Sequence, residues 1–160
     1  LNNSVIVSAL VAVNAVGEIV DTVSNTVVAG IRANDVGQYD SAVDVALGNA
    51  AKAAIAGTNT TLGLIATNAN LSKAQLKKVA EMAHDGMARA IRPIHTQFDG
   101  DTVFAVSMPG SAVETTTDAE AQLNSISIAG AKALELAIVD AVRSAKSVGD
   151  VVACCDWRIN

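Results

Sequence analysis

The sequence predicts a layered α/β fold in which long helices cover a mainly apolar sheet. Hydrophobic residues make up 51% of the 160-residue chain and aromatic residues only 2%, so alanine, valine, isoleucine and leucine must fill the core. Side chains of this size suit close packing of helices on a sheet. Short Val-rich segments also alternate with two stretches that carry helix start signals. We treat residues 1–160 as a single domain, because a chain of this length buries about two-thirds of its unfolded surface.

Four strands are predicted from apolar runs. Residues 5–14 form a Val-rich run that is typical of a fully buried strand. Gly17 makes a turn, after which Glu18–Asp21 returns as a short paired strand. Residues 60–67 and 102–107 are the next apolar runs, and each follows a polar segment that contains glycine.

Two helices are marked by capping boxes, and a third stretch is rich in alanine. Residues 72–75 (SKAQ) begin a helix with apolar residues at helical spacing, and Pro93 ends it. The segment TDAE opens a second helix over 117–146 that is apolar around much of its circumference, so we expect it to be largely buried. Residues 41–56 are compatible with a further helix. The Gly, Asn and Asp residues of 22–40 favour a long surface excursion.

Charge and composition exclude several classes of function. The net charge is −5 and no basic stripe occurs, so we expect no nucleic acid partner. Polar residues interrupt every apolar run before about 18 residues, so we expect no membrane association. The adjacent Cys154 and Cys155 cannot form a disulfide framework, which favours a reduced, cytoplasmic setting. Because the chain lacks an initiator Met and enters a strand within a few residues, we expect it to be the C-terminal part of a longer protein.

A threonine at the start of a strand is the first candidate for chemistry. Residues 57–67 run from a Gly-led polar turn into an apolar strand, and Thr60 lies at the junction. If the Asn59–Thr60 bond were cut, the Thr60 hydroxyl would have the new α-amine as its own general base, with a pKa of roughly 7.7–8.0 in peptides. The alternative is a threonine that merely begins a strand. Thr61 should point to the opposite face of the sheet.

Three polar residues could assist such a nucleophile. Asn14 ends an apolar strand, where its amide could donate to a developing oxyanion or could instead satisfy the turn that follows. Asp99 and Asp101 share a face if the chain is extended there, and the glycine between them permits close backbone approach. One carboxylate could bind the Thr60 hydroxyl or ammonium group while the other orients the first. The alternatives are a turn-forming Asp-Gly pair and a metal site.

The remaining reactive side chains receive other assignments. His84 lies near the polar boundary of the first capped helix and is interpreted as structural or interfacial. His95 leads into the acidic pair and could support it. Arg89 and Arg92 favour capping of the helix C-terminus. The adjacent cysteines have no base nearby in sequence and are not expected to act as nucleophiles.

Four segments, read together, resemble one family. They are 11–18 (VAVNAVGE), 59–62 (NTTL), 83–91 (AHDGMARAI) and 95–102 (HTQFDGDT). In order and spacing they resemble the self-processing aminopeptidases of the DmpA kind, which include β-peptidyl aminopeptidases and nylon-oligomer hydrolases. The resemblance covers nearly the whole chain.

The resemblance implies a layered α/β/β/α sandwich of the N-terminal-nucleophile type, made from a precursor that cuts itself into two chains that stay together. Residues 1–59 would end the first chain and residues 60–160 would form the second. Part of the domain is therefore missing upstream, with other pocket residues. The resemblance also implies a homotetramer that acts on a small amide or peptide substrate. We expect no cofactor and no metal.

Carried over residue by residue, the family pattern makes Thr60 the nucleophile at the Asn59–Thr60 cleavage site and Asn14 the family asparagine at the end of a strand. Asp99 and Asp101 match the acidic pair of the Thr-type members, whereas the peptidase members have Ser and Glu. The resulting hypothesis is a self-cleaving amide hydrolase, either an aminopeptidase or an oligoamide hydrolase. The alternative is a non-catalytic assembly or binding module with the same fold that does not mature.

Overall fold

The computed structural model describes residues 5–48, 59–108 and 118–157. Thr117 and residues 49–56 of the predicted alanine-rich helix lie outside the described residues. In chain order the elements are β1 (Val7–Ala12), β2 (Glu18–Asp21), β3 (Thr26–Ala29), β4 (Ile31–Arg32), β5 (Tyr39–Asp40), α1 (Ala42–Gly48), β6 (Leu62–Thr67), α2 (Lys73–Ala90), β7 (Ile91–Arg92), β8 (Thr102–Ser107), α3 (Ala119–Ser144) and α4 (Cys154–Trp157).

The central sheet of the described residues has the strand order β1-β6-β8. β1 pairs antiparallel with β6, and β6 pairs parallel with β8. A parallel pair needs a crossover connection, which α2 provides here. Because parallel strands begin at the same edge of a sheet, the residues that precede β6 and β8 lie side by side. This topology brings the segments around Thr60 and Asp101 together.

α2 and α3 pack on one face of this sheet and form the core with it. Side chains from the sheet and both helices are at most 1% exposed, among them Ile65, Val79, Met87, Leu134 and Ile138. The predicted layering of long helices on an apolar sheet is therefore confirmed.

Glycines set how closely the layers approach. A Cβ atom built on Gly86 of α2 would lie 2.1 Å from the backbone oxygen of Ala131 in α3. A Cβ atom built on Gly63 of β6 would lie 3.1 Å from the Leu134 side chain. Any larger residue at Gly86 would meet the backbone of the other helix, which leaves little room to adjust.

Two apolar surfaces of the described residues stay open to solvent. On the outer face of the central sheet, Leu10 is 69%, Leu62 46% and Phe104 58% exposed. β1 alternates between half-buried and exposed residues, so the prediction of a fully buried first strand is wrong. Its Val-rich run has apolar residues on both faces, of which only one is covered. Ile128 and Leu136 on α3 are more than half exposed, so this helix is less buried than predicted.

A second sheet, with the order β3-β2-β7, contains part of the segment predicted as a surface excursion. Residues 22–40 include β3, β4 and β5, so the predicted long excursion is wrong. Asn25, at φ 52°, turns the chain between β2 and β3, and Val28 of β3 is 3% exposed. The turn-forming residues of this segment therefore separate short strands.

Both long helices begin at side-chain caps. The Ser72 hydroxyl accepts from the Gln75 N–H and the Gln75 side chain accepts from the Ser72 N–H, so the predicted capping box of α2 is confirmed. The cap of α3 is Asp118, whose carboxylate accepts from the Ala121 N–H at 2.9 Å. This cap lies one residue later than predicted, because Asp serves at this position as well as Thr does.

Glu135 of α3 is a buried acid surrounded by donors. Only 4% of its side chain is exposed. Its carboxylate accepts from Lys132 at 2.5 Å and from the Thr22 hydroxyl, and Arg89 of α2 lies 3.8 Å away. Burial raises the pKa of Glu135, but these hydrogen bonds and positive charges outweigh burial and hold the pKa below its usual 4.5. Arg89 thus pairs with the neighbouring helix.

We expect Glu135→Gln to lower the free energy of unfolding by about 1–3 kcal/mol near pH 7, because its donors lose a charged acceptor. A carboxylate whose pKa is lowered by folding stabilises the fold above its unfolded pKa, and this contribution is lost as the pH falls through the folded-state pKa. The stability difference between E135Q and wild type should therefore shrink from about pH 7 to about pH 3, measured by urea unfolding of the full-length protein.

The matched control for this prediction is Glu81→Gln. Glu81 forms an exposed pair with Lys77 at 3.6 Å on α2, and such pairs contribute about 0.5 kcal/mol or less. An equal loss of stability in the Glu81 and Glu135 variants would contradict the importance of the buried acid.

Candidate active site

The candidate site forms where the chain enters β6, beside the loop that leads into β8. The Gly100 N–H donates to the Asn59 carbonyl at 3.0 Å, and the Thr102 N–H donates to the Thr61 carbonyl at 3.0 Å. Asn59 and Asp99 form a parallel bridge. The pairing of β6 with β8 thus continues beyond the strands and aligns the two polar segments.

Thr60 is half-buried at this edge, and its hydroxyl contacts the preceding peptide group. Its Oγ1 donates to the Asn59 carbonyl oxygen at 2.7 Å, while its N–H donates to the Asn14 carbonyl at 2.9 Å. A Cβ atom on Gly100 would lie 2.7 Å from Thr60 Oγ1, so the expected close backbone approach is present. Thr61 is fully buried, in keeping with its predicted place on the other face.

The Asp101 side chain is buried and holds the backbone next to Thr60. Only 1% of its side chain is exposed. Oδ1 accepts from the Thr61 N–H at 2.8 Å. Oδ2 lies 2.9 Å from His95 Nδ1 and accepts from the His95 N–H at 3.3 Å. The two carboxylate oxygens thus tie the start of β6 to the loop before β8, and His95 supports Asp101 as the sequence suggested.

Asp99 uses one oxygen within its own loop and keeps the other open. Oδ2 accepts from the N–H and the hydroxyl of Thr96, at 2.9 and 2.7 Å. Oδ1 is buried and has no hydrogen-bond partner among the described residues. A buried carboxylate oxygen without a donor costs free energy, so a further donor would be favourable there. The Thr60 hydroxyl donates to the Asn59 carbonyl rather than to either carboxylate.

Asn14 follows β1 and joins the site through its backbone carbonyl, which accepts the Thr60 N–H. Asn14 also lines a cavity of about 530 Å³. The walls of this cavity are otherwise largely apolar and include Val13, Ile31 and Val142. The structure therefore brings Asn14, Thr60 and the acidic loop to one edge of the central sheet.

A pair of histidines adjoins Asp101, and the sequence did not predict the pair. His84 Nδ1 and His95 Nε2 lie 3.1 Å apart, with ring centroids 4.8 Å apart in an edge-to-face arrangement. Burial and the neighbouring His95 lower the pKa of His84 below its usual 6.5. Periodicity could not link the two residues, because they lie in different elements. Their positions in the family-like segments 83–91 and 95–102 were the available signal.

The other reactive side chains have contacts of their own. Cys154 donates to the Val142 carbonyl at 3.2 Å, and Cys155 is exposed. Arg92 donates to Asn25 at 3.4 Å. Within 5–48, 59–108 and 118–157, no group of three or more His, Cys, Asp or Glu residues is placed to hold a metal ion. The helices in these ranges include none that is long and apolar enough to cross a membrane.

The helix layer on a mixed sheet belongs to the N-terminal-nucleophile hydrolase fold. An L-aminopeptidase D-Ala-esterase/amidase from Ochrobactrum anthropi, whose solved structure is described as a variant of that fold, matches with a TM-score of 0.50. It is 24% identical and covers 62% of this chain and 32% of its own. The fold class predicted from the sequence is confirmed.

The chain belongs to peptidase family S58, which it matches over residues 1–153. An uncharacterized aminopeptidase of Mycobacterium leprae is 35% identical over an alignment of 159 residues, which covers 93% of this chain and 43% of the relative. A 6-aminohexanoate-oligomer endohydrolase of Paenarthrobacter ureafaciens is 38% identical over an alignment of 106 residues, which covers 62% of this chain and 28% of the relative. The predicted resemblance is confirmed, and the chain spans less than half the length of these relatives.

Proposed function

We propose that this chain is part of a self-cleaving amide hydrolase, an aminopeptidase or an oligoamide hydrolase, with Thr60 as its nucleophile. The observation that carries the proposal is the 2.7 Å hydrogen bond from Thr60 Oγ1 to the Asn59 carbonyl oxygen, which sets the hydroxyl beside the bond to be cut. Membership of a peptidase family and likeness to a relative named as an oligomer endohydrolase support the same chemistry.

Self-cleavage begins with attack of Thr60 Oγ1 on the carbonyl carbon of Asn59. The hydroxyl proton passes to the Thr60 nitrogen, the C–N bond breaks, and an ester of Asn59 forms beside a free α-amine. Water then hydrolyses this ester to the Asn59 carboxylic acid and restores the hydroxyl. The hydrogen bond from the Thr60 N–H to the Asn14 carbonyl orients the leaving nitrogen in the uncut chain.

In the mature protein the α-amine of Thr60 takes the hydroxyl proton during attack on a substrate amide and returns it to the leaving amine. Asn14 donates its side-chain amide to the oxyanion, a contribution of about 3–4 kcal/mol in comparable sites. The open Oδ1 of Asp99 accepts from the new ammonium group or from the hydroxyl. Asp101 fixes the adjacent peptide group.

The upstream half of the precursor, in this proposal, covers the apolar outer face of the central sheet and completes the α/β/β/α sandwich. Leu10, Leu62 and Phe104 lie on that face, and burying such a side chain stabilises a fold by about 1.5–3 kcal/mol. The exposed apolar side of α3 is the corresponding surface for a homotetramer. The substrate is a small amide or peptide.

Intact-mass spectrometry of the full-length precursor tests this proposal. We expect a fragment that begins Thr60-Thr61-Leu62, and we expect the cut protein to hydrolyse members of a panel of α-, β- and ω-amino amides. A single uncut species after long incubation, with no amide hydrolysed, would favour the alternative of a non-catalytic assembly or binding module with the same fold.

A further inference from the structure

We propose that His84 and His95 are positioning residues, which hold the Asp101 carboxylate against the Thr61 N–H and so fix the start of β6 beside Thr60. This inference rests on the proposed function, because it assigns the histidine pair a part in the reaction of Thr60. The two rings do not touch the reacting atoms and act only through Asp101.

A continuous chain of hydrogen bonds leads from α2 to β6. His84 Nδ1 lies 3.1 Å from His95 Nε2, and His95 Nδ1 lies 2.9 Å from Asp101 Oδ2. Asp101 Oδ1 then accepts the Thr61 N–H at 2.8 Å. Because an ionised carboxylate only accepts, His95 donates to it from Nδ1, and a His95 ring that carries one proton then has Nε2 left to accept from His84. The chain therefore holds each ring in one tautomer and points every donor toward Asp101.

The conformation of His95 serves this same carboxylate. Its φ of 58° lies in the left-handed region, which a residue with a Cβ atom enters at a cost in free energy. In this conformation both Nδ1 and the backbone N–H reach Asp101 Oδ2, at 2.9 and 3.3 Å. With the His95 ring in place the Asp101 side chain is 1% exposed, so His95 rather than bulk water supplies the donors to Oδ2.

The Thr61 N–H belongs to the peptide group that carries Thr60, so its position helps to set where the Thr60 hydroxyl points. After cleavage this peptide group is the remaining covalent attachment of Thr60, because the bond to Asn59 is gone. A displacement of about 1 Å in a reacting group costs on the order of a hundredfold in rate. A loosened Asp101 should therefore slow self-cleavage and turnover, although every reacting group remains.

The test compares His95→Gly and His95→Asn in the full-length precursor. Glycine adopts a φ of 58° without strain but has no ring, whereas asparagine tolerates this conformation and offers an amide N–H near the position of Nδ1. We expect H95G to lower the self-cleavage rate and kcat by about tenfold to a hundredfold with KM nearly unchanged. We expect H95N to recover most of this loss. His84→Leu, which removes only the support of His95, should slow both rates by about threefold to tenfold.

His95→Asp provides a second comparison should H95G fail to fold. Aspartate has the shape of asparagine and tolerates the same backbone, but it lacks the N–H, so H95D should be at least as slow as H95G is expected to be. The inference would be overturned if H95G or H95D were as fast as wild type, or if H95N were no faster than either of them. The proposed function would still stand in that case, provided that the wild-type precursor cuts itself and hydrolyses amides. A wild-type precursor that neither cuts itself nor hydrolyses amides would contradict the proposed function itself.

Discussion

The full-length precursor carrying Thr60→Ala should remain a single uncut chain and should hydrolyse no amide. The substitution removes the hydroxyl that lies 2.7 Å from the Asn59 carbonyl oxygen. Thr61 offers no replacement, because it is fully buried. Removing the nucleophile of a hydrolase that forms a covalent intermediate lowers kcat by about 10⁶-fold in a well-studied case. Intact-mass spectrometry and amide hydrolysis on the same samples measure both losses.

Two neighbouring substitutions serve as controls. Thr60→Ser keeps a hydroxyl and should keep both cutting and turnover. Thr61→Val replaces a buried hydroxyl that has no partner among the described residues, so it should leave cutting unchanged and should not lower stability. Cutting by the Thr60→Ala chain would reject Thr60 as the nucleophile. A Thr61→Val chain that folds but stays uncut would indicate that Thr61 is the nucleophile.

Gly86→Ala should destabilise the fold by about 3 kcal/mol or more. The added Cβ atom would lie 2.1 Å from the Ala131 backbone oxygen. A helix backbone cannot swing aside as a side chain can, so α2 and α3 would have to separate and loosen the core that they share. The better helix propensity of alanine offsets only about 1 kcal/mol of this cost. Denaturant unfolding of the full-length protein measures the loss.

Gly48→Ala is the matched control for the helix crossing. Gly48 lies at the end of α1, and a Cβ atom there meets nothing within 4 Å among the described residues. The substitution should be neutral or should stabilise by up to about 1 kcal/mol. Equal unfolding midpoints for the Gly86 and Gly48 variants would show that the close approach of α2 and α3 does not limit stability.

Local signals predict the long elements well and the short strands poorly. The capping box at Ser72 and the apolar run 102–107 are properties of neighbouring residues, and they predict α2 and β8 closely. β3, β4 and β5 have two to four residues each. Strands this short carry too little alternation to be recognised, and they form because partner strands are nearby.

The candidate site was likewise predictable only in part from local sequence. The junction at Thr60, the strand end at Asn14 and the spacing of Asp99 and Asp101 could be read from the sequence. The different partners of the two carboxylates could not, because they depend on how the loop before β8 folds back on itself. The contact of His84 with that loop required the helix to be placed in three dimensions.

The order of strands has a consequence for a chain broken between residues 59 and 60. β1 lies before that break and β6 after it, yet the two strands pair antiparallel from Val7 with Thr67 to Ala12 with Leu62. β2 and β7 are joined in the same manner. Both pieces thus contribute strands to each of two sheets, and separating the pieces would break one strand pairing in each sheet. Pieces synthesised separately would each lack the partner strands that the other piece supplies. We therefore expect them to fold into this architecture only when they are mixed.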